Sequence, residues 1–297
     1  MSILAFRNTN VLIQGITGNA ARHHAKNMLD YGTKIVAGVR PASGGENVHG
    51  VPVYDAVAEA CRKHQIDASI LFIPARMVKD AALDAMANGI RLLVIVTEHV
   101  PLHDAMAMFE QARDRGAVII GPNTPGMISP PENVQLGFVP TMYFKPGAVG
   151  MASRSGTLTY EFASRLTAAG LGQSTVVGVG GDRMVGLRFG SALRLFEADS
   201  GTRGILLVGE IGGTMEEEAA RMVASQEIRK PVFAYIAGST APAGKRIGHA
   251  GAIIAGSSGT VTSKLTTLRE AGIHVGETIA QTVSTMKEML GTERREP

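Results

Sequence analysis

Uninterrupted apolar runs, rather than alternating ones, set the rhythm of the first part of the chain. Val11-Leu12-Ile13-Gln14, Lys34 to Val39, Ser69-Ile70-Leu71-Phe72-Ile73, Leu92-Leu93-Val94-Ile95-Val96 and Val118-Ile119-Ile120 are short, rich in β-branched residues and bounded by turn residues. A strand that is apolar on both faces is covered on both faces, so these runs predict a parallel sheet between two layers of helix. Helical spacing fills the intervals. Asn19 to Tyr31 follows the turn Gly15-Ile16-Thr17-Gly18, a glycine-rich loop runs to Gly50 after the second strand, and a turn and a helix follow each later strand.

Between about 124 and 147 the rhythm breaks, with Pro125, Pro130, Pro131, Pro140 and Pro146. Proline removes ladder donors, so this stretch is expected to be a linker with a short hairpin. The alternation then restarts. Ala148 to Ala152, Thr175 to Val179, Ile205 to Val208 and Val232 to Ile236 are strand candidates, with helical patterns near 157–169, 190–198, 214–225, 262–271 and 278–290. The expected fold class is α/β: a Rossmann-like domain over 1–124, the linker or hairpin over 125–147, and a second, flavodoxin-like doubly wound domain over 148–297.

Composition narrows the function. The chain has 297 residues, 45% of them hydrophobic, enough for two full cores. No apolar run is long enough to span a membrane. Met1 to Asn8 leads almost at once into the first strand, leaving little room for a leader segment. With Cys61 as the single cysteine, a reducing compartment is expected: the cytoplasm of a bacterium, or the mitochondrial matrix after loss of a transit peptide. A net charge of +3, with charged residues dispersed at 19%, argues against nucleic acid as a partner. Thirty-six glycines gather at the ends of apolar runs, where backbone approaches a ligand closely, while the absence of Trp leaves no aromatic stacking platform.

Two loops have the context of an anion site. Gly15-Ile16-Thr17-Gly18-Asn19-Ala20 follows a strand and opens a helix, whose first N–H groups and dipole attract a pyrophosphate. The second strand ends Gly38-Val39-Arg40-Pro41 with no acidic residue to take a ribose hydroxyl, which points to a phosphorylated ribose: NADP or the 3′-phospho-ADP of coenzyme A. Ser153-Arg154-Ser155-Gly156-Thr157 repeats the strand-to-helix context. Farther on, His249 lies in Gly248-His249-Ala250-Gly251-Ala252, beside Lys245 and Arg246 and among many glycines. A neutral imidazole is a nucleophile near pH 7. Glu210, at the end of another strand, is a carboxylate suited to orient it. The remaining histidines show no metal-ligand spacing, so no protein metal site is expected.

Taken together, Gly15-Ile16-Thr17-Gly18, Gly121-Pro122-Asn123-Thr124-Pro125-Gly126, Ser153 to Glu161, Gly209-Glu210-Ile211-Gly212-Gly213 and Gly248 to Ile254 resemble the α subunit of succinyl-CoA synthetase, a family with malate-CoA ligase and citryl-CoA synthetase relatives. The resemblance implies a coenzyme A-binding domain, a ligase domain with a phosphohistidine at His249 supported by Glu210, and a small di- or tricarboxylic acid as substrate. It implies an ATP-grasp β subunit that holds ATP or GTP with Mg2+. By the same match Thr17, Gly18, Asn19, Ala20, Val96, Thr97, Glu98 and Asn123 belong to the cofactor site, and Ser153, Ser155, Gly156 and Thr157 bind phosphate. Tyr160 lies at the subunit contact near substrate. Ser43 stands where the family has a coenzyme A-binding lysine, with Arg40 expected to supply the charge. Thr124 replaces a cysteine, and Arg183-Met184-Val185-Gly186 replaces Pro-Ile-Pro-Gly, a change that suggests an acid other than succinate. A nicotinamide-dependent oxidoreductase and a non-catalytic coenzyme A-binding protein are the rival readings; neither accounts for the histidine loop.

Overall fold

The computed structural model describes residues 2–238 and 259–291. The first sheet is built from β1 (Asn10–Gln14), α1 (Asn19–Tyr31), β2 (Lys34–Val39), β3 (Asn47–Val48), β4 (Val51–Tyr54), α2 (Val57–Lys63), β5 (Ala68–Leu71), α3 (Val78–Ala87), β6 (Leu92–Ile95), α4 (Leu102–Arg115) and β7 (Val118–Ile120). Its strands lie in the order β3-β4-β2-β1-β5-β6-β7, parallel except for the β3–β4 pair. Leaving aside the short β3, this is the 3-2-1-4-5-6 order of a Rossmann fold. The apolar runs explain it: β5 and β6 are buried at every position, as strands sandwiched between helices must be. One expectation needs correcting. The stretch after β2 is not loop to Gly50; Val48 pairs with Val51 across Gly50, whose φ of +86° makes the tight turn.

The second sheet contains β8 (Gly126–Ser129), β9 (Val134–Gly137), β10 (Pro146–Ser153), α5 (Gly156–Ala168), β11 (Gln173–Gly178), α6 (Phe189–Ala198), β12 (Gly204–Glu210), α7 (Met215–Ala224), β13 (Val232–Ala237), α8 (Val261–Glu270), β14 (His274–Val275) and α9 (Ile279–Gly291). The order is β14-β13-β12-β10-β11-β8-β9. Its five parallel strands follow the 2-1-3-4-5 order of flavodoxin-like folds. The proline-rich interval supplies a hairpin, β8–β9, which adds antiparallel to β11 through Val176↔Ile128 and Val177↔Met127. Gly126 and Gly137 face each other there, and a Cβ on Gly126 would sit 1.9 Å from the Leu136 carbonyl.

The two sheets are stitched together. The Leu187 N–H donates to the Ile119 carbonyl at 2.7 Å, and the Gly121 N–H to Val179 at 3.2 Å. At the other side the Thr33 hydroxyl donates to the Gln135 carbonyl and accepts from its N–H, both at 2.9 Å. One apolar cluster includes Val11 and Ile13 of the first sheet and Ile205 and Leu207 of the second. Among the described residues no helix is long and apolar enough to cross a membrane.

Candidate active site

In an open parallel sheet, ligands bind outside the carboxyl ends of the strands where the strand order reverses. The first such point lies between β1 and β5. A cavity of about 660 Å3 opens there, lined by Gly15, Thr17, Gly18, Arg40, Asp55, Phe72, Ile73 and Arg76 among others. Gly15, at φ +81°, lies so close to β5 that a Cβ would meet the Phe72 carbonyl at 2.4 Å. Gly18 starts α1 with no side-chain cap, which leaves the first N–H groups of the helix for a ligand. Arg40 donates through Nη1 to the Thr17 hydroxyl at 2.9 Å, holding a guanidinium beside that helix end.

Asn19 and Ala20 are exposed on the first turn of α1, and neither they nor Ser43, Val96, Thr97, Glu98 or Asn123 line this cavity. Ser43 is buried; its N–H and that of Gly44 donate to Asp55 Oδ1 at 2.9 and 2.8 Å. Asp55, which the sequence reading missed, thus shapes the loop that carries Arg40. Thr97 bonds through its hydroxyl to the Ile73 carbonyl at 2.6 Å, and the Asn123 N–H donates to the Thr97 carbonyl at 2.9 Å. Thr97 is thereby bonded to Ile73 of the cavity wall.

The second reversal lies between β10 and β12, whose last residues are Ser153 and Glu210. Ser155 caps α5, its hydroxyl accepting from the Leu158 N–H at 3.3 Å. Ser153 turns inward and donates to the Ser155 carbonyl at 2.9 Å. A cavity of about 280 Å3 here is lined by Asn123, Thr124, Pro125, Phe138, Arg154, Ser155, Gly156, Thr157 and Tyr160. Thr124 is buried and donates to the Gly178 carbonyl while accepting from the Gly126 N–H at 2.9 Å. Burial pushes the Tyr160 phenol above its ordinary pKa.

Arg154 is buried and dominates the electrostatics of this end. Its Nη2 lies 3.1 Å from Glu210 Oε1, and its Nη1 lies 3.3 Å from Glu216 Oε1 and donates to the Gly212 carbonyl at 2.9 Å. Beyond Glu216 stands Lys264, fully buried, which reaches Glu216, Glu217 and the Gly213 carbonyl. Glu216 and Lys264 escaped the sequence reading because nothing local links positions so far apart. Arg183 is exposed and lines a separate cavity with His99, Val100 and Met184. His249, with Lys245 and Arg246, lies outside the described residues. The segment that holds them leaves β13 after Ala237, which pairs with Glu210, and ends at Gly259, whose carbonyl accepts from the Gly212 N–H at 2.8 Å. Both described flanks of that segment therefore meet the Glu210 loop.

One side chain touches the walls of both cavities. His24 of α1 stacks on Phe72 with ring centroids 5.8 Å apart and meets Phe138 at 5.5 Å. Burial, and next the neighbouring His23, hold its imidazole below the usual histidine pKa.

The coenzyme A-binding domain model matches residues 6–99, and the CoA-ligase model matches 152–274. Succinate–CoA ligase [ADP-forming] subunit alpha 2 of Archaeoglobus fulgidus is 51% identical over 98% of this chain and 100% of its own length. The chain belongs to the succinate–CoA ligase α-subunit family. The Aquifex aeolicus α subunit is 46% identical over 100% of this chain and 98% of its own. Among solved structures, ATP citrate lyase from Methanothrix soehngenii, in complex with citrate and coenzyme A, superposes with a TM-score of 0.88 at 24% identity. The match covers 99% of this chain and 53% of that one, so the present chain spans about half of the larger protein. At that identity the likeness is one of fold, and it agrees with the two doubly wound sheets described above.

Proposed function

We propose that this chain is the α subunit of a nucleoside-diphosphate-forming acid–CoA ligase that carries phosphate on His249. The supporting observation is the second strand reversal, where a capped helix end, the buried Arg154 and the Glu210 carboxylate converge beside both described flanks of the 239–258 segment. A helix N-terminus and a guanidinium are what a phosphoryl group needs as its charge shifts between carriers. Glu210 supports the imidazole, and Ser155, Gly156 and Thr157 receive the phosphate.

The first cavity suits coenzyme A. Its free helix end and Arg40 fit phosphates, its Phe72 and Ile73 wall fits an apolar arm, and Gly15 clears the floor. Thr17, Gly18 and Arg40 would hold the phosphates, with Arg40 supplying the charge that Ser43 lacks. Coenzyme A, when bound, supplies the thiol that takes the acyl group from its phosphate. An ATP-grasp β subunit holds ATP or GTP with Mg2+, and Tyr160 faces it near substrate. Succinate is the acid favoured: the relatives are named for it, and Arg183, the change that suggested another acid, lines a separate cavity. Malate and citrate are the alternatives.

The test is reconstitution with the β subunit encoded in the same genome. Nucleotide labelled in its γ-phosphate should give an acid-labile label on the wild-type chain and none on His249→Asn. Of succinate, malate, citrate and itaconate, succinate should discharge it fastest in the presence of coenzyme A. Label that survives acid, or that persists in His249→Asn, refutes the carrier.

A further inference from the structure

Lys264 has no assigned part in this reaction, yet it is 0% exposed. Burying an ammonium group costs several kcal/mol unless close partners replace its hydration. Its partners are the Gly213 carbonyl at 3.0 Å, Glu216 Oε2, and Glu217 Oε2 at 2.9 Å, all in the segment that follows Glu210. The far oxygen of Glu216 does something else. Oε1 accepts from the Glu210 backbone N–H at 3.2 Å and lies 3.3 Å from Arg154 Nη1. One carboxylate therefore joins Lys264 of α8 to both the Glu210 main chain and the guanidinium in front of α5. Helix α8 itself begins just beyond Gly259, where the chain is bonded to Gly212.

We propose that Lys264 is a positioning residue for phosphoryl transfer, acting through Glu216 to hold Arg154 and Glu210 in the arrangement that receives the phosphate. The inference rests on His249 as the carrier. A buried pair that serves stability alone is replaceable by apolar residues at little cost. Here the shared carboxylate has a second duty, because without Lys264 its Oε2 loses the ammonium that helps fix the orientation of Oε1 toward Arg154. The guanidinium then shifts by a fraction of its own width, and misplacement on the order of 1 Å costs roughly 100-fold in rate.

The experiment uses the complex of the chain with its β subunit, comparing wild type, Lys264→Arg, Lys264→Met and His249→Asn. Three quantities are read per folded complex: the rate of label transfer from γ-labelled nucleotide, coenzyme A affinity by calorimetry, and Tm. Lys264→Met should slow label transfer about 100-fold with coenzyme A affinity unchanged, and Lys264→Arg should recover most of the rate. A purely structural lysine would lower Tm and leave the rate per folded complex intact; that result overturns the proposal, as does an arginine variant no faster than methionine. If Lys264→Met does not assemble, Lys264→Met/Glu216→Gln, which removes the Glu216 charge from beside Arg154, replaces it: slow transfer supports the proposal and wild-type transfer overturns it. Equal labelling of wild type and His249→Asn would bring down the carrier and this inference together. Normal labelling with a wild-type rate in Lys264→Met brings down this inference alone.

Discussion

The two strand reversals use the same device, a helix that starts at the carboxyl end of a parallel strand, and finish it in opposite ways. At α1 the start is Gly18, without a side-chain cap, facing a cavity of about 660 Å3 with the exposed Arg40 at its rim. At α5 the start is Ser155, whose hydroxyl already caps the helix, facing about 280 Å3 lined in part by the buried Arg154. The first end keeps its donors for a ligand that brings its own charges. The second has its charges compensated by the protein before anything arrives. Preorganised charge of that kind stabilises a short-lived state, whereas open donors serve to retain a molecule.

The contrast predicts how each end fails. The largest effect belongs to Arg154→Met, which leaves Glu210 and Glu216 buried without their guanidinium: a loss of about 3–5 kcal/mol is expected, read as a fall in denaturation midpoint, along with collapse of label transfer. Gly15→Ala comes next. Its new methyl group points at the Phe72 carbonyl from a positive φ, and strain of about 1–3 kcal/mol is expected, with coenzyme A binding lost in calorimetry while label transfer from nucleotide continues. Arg40→Ala is milder. Removing one exposed charge-assisted contact worth about 1.5–3 kcal/mol should weaken coenzyme A roughly 10- to 100-fold, and added salt should narrow the gap between mutant and wild type. Equal damage to coenzyme A binding by Arg40→Ala and Arg154→Met would erase the distinction between the two ends.

The smallest effect concerns pH. His24 has a folded pKa below its unfolded value, so the unfolded chain binds the extra proton first. Its contribution to stability is intact above the unfolded pKa of about 6.5 and is lost as pH falls through that value toward the lower folded one. Melting curves should show wild type losing slightly more Tm than His24→Gln between neutral and mildly acidic buffer. A parallel decline of the two proteins would count against it.

Much of this architecture could be read before the structure. Strands buried on both faces need unbroken apolar runs, and α1 and β2 fall where the sequence placed them because glycines at 18 and 32 delimit the helix. β4 was missed because Val51-Pro52-Val53-Tyr54 is short and carries a proline, tolerable here beside a two-residue edge partner. At the site, Thr17, Gly18, Arg40, Ser155 and Glu210 were legible because strand-end glycines, hydroxyls and charges have local signatures. Asp55, Glu216 and Lys264 were not. Each acts on a residue brought near only by the crossover of the sheet, and a lysine in a helix looks solvated until the fold closes over it. The family resemblance also implies Val96, Thr97 and Glu98, and here the Thr97 hydroxyl donates to the carbonyl of Ile73 in the cavity wall.

The stitches between the sheets, Leu187 to Ile119 on one side and Thr33 to Gln135 on the other, carry a mechanical consequence. They make the span from Gly18 to Ser155 a fixed dimension of the scaffold, like the distance between two bolts on a plate. Rocking one half against the other would first have to break backbone and hydroxyl bonds in the interior. A molecule held at one helix start therefore meets the other at a separation that the scaffold, and not a hinge, sets.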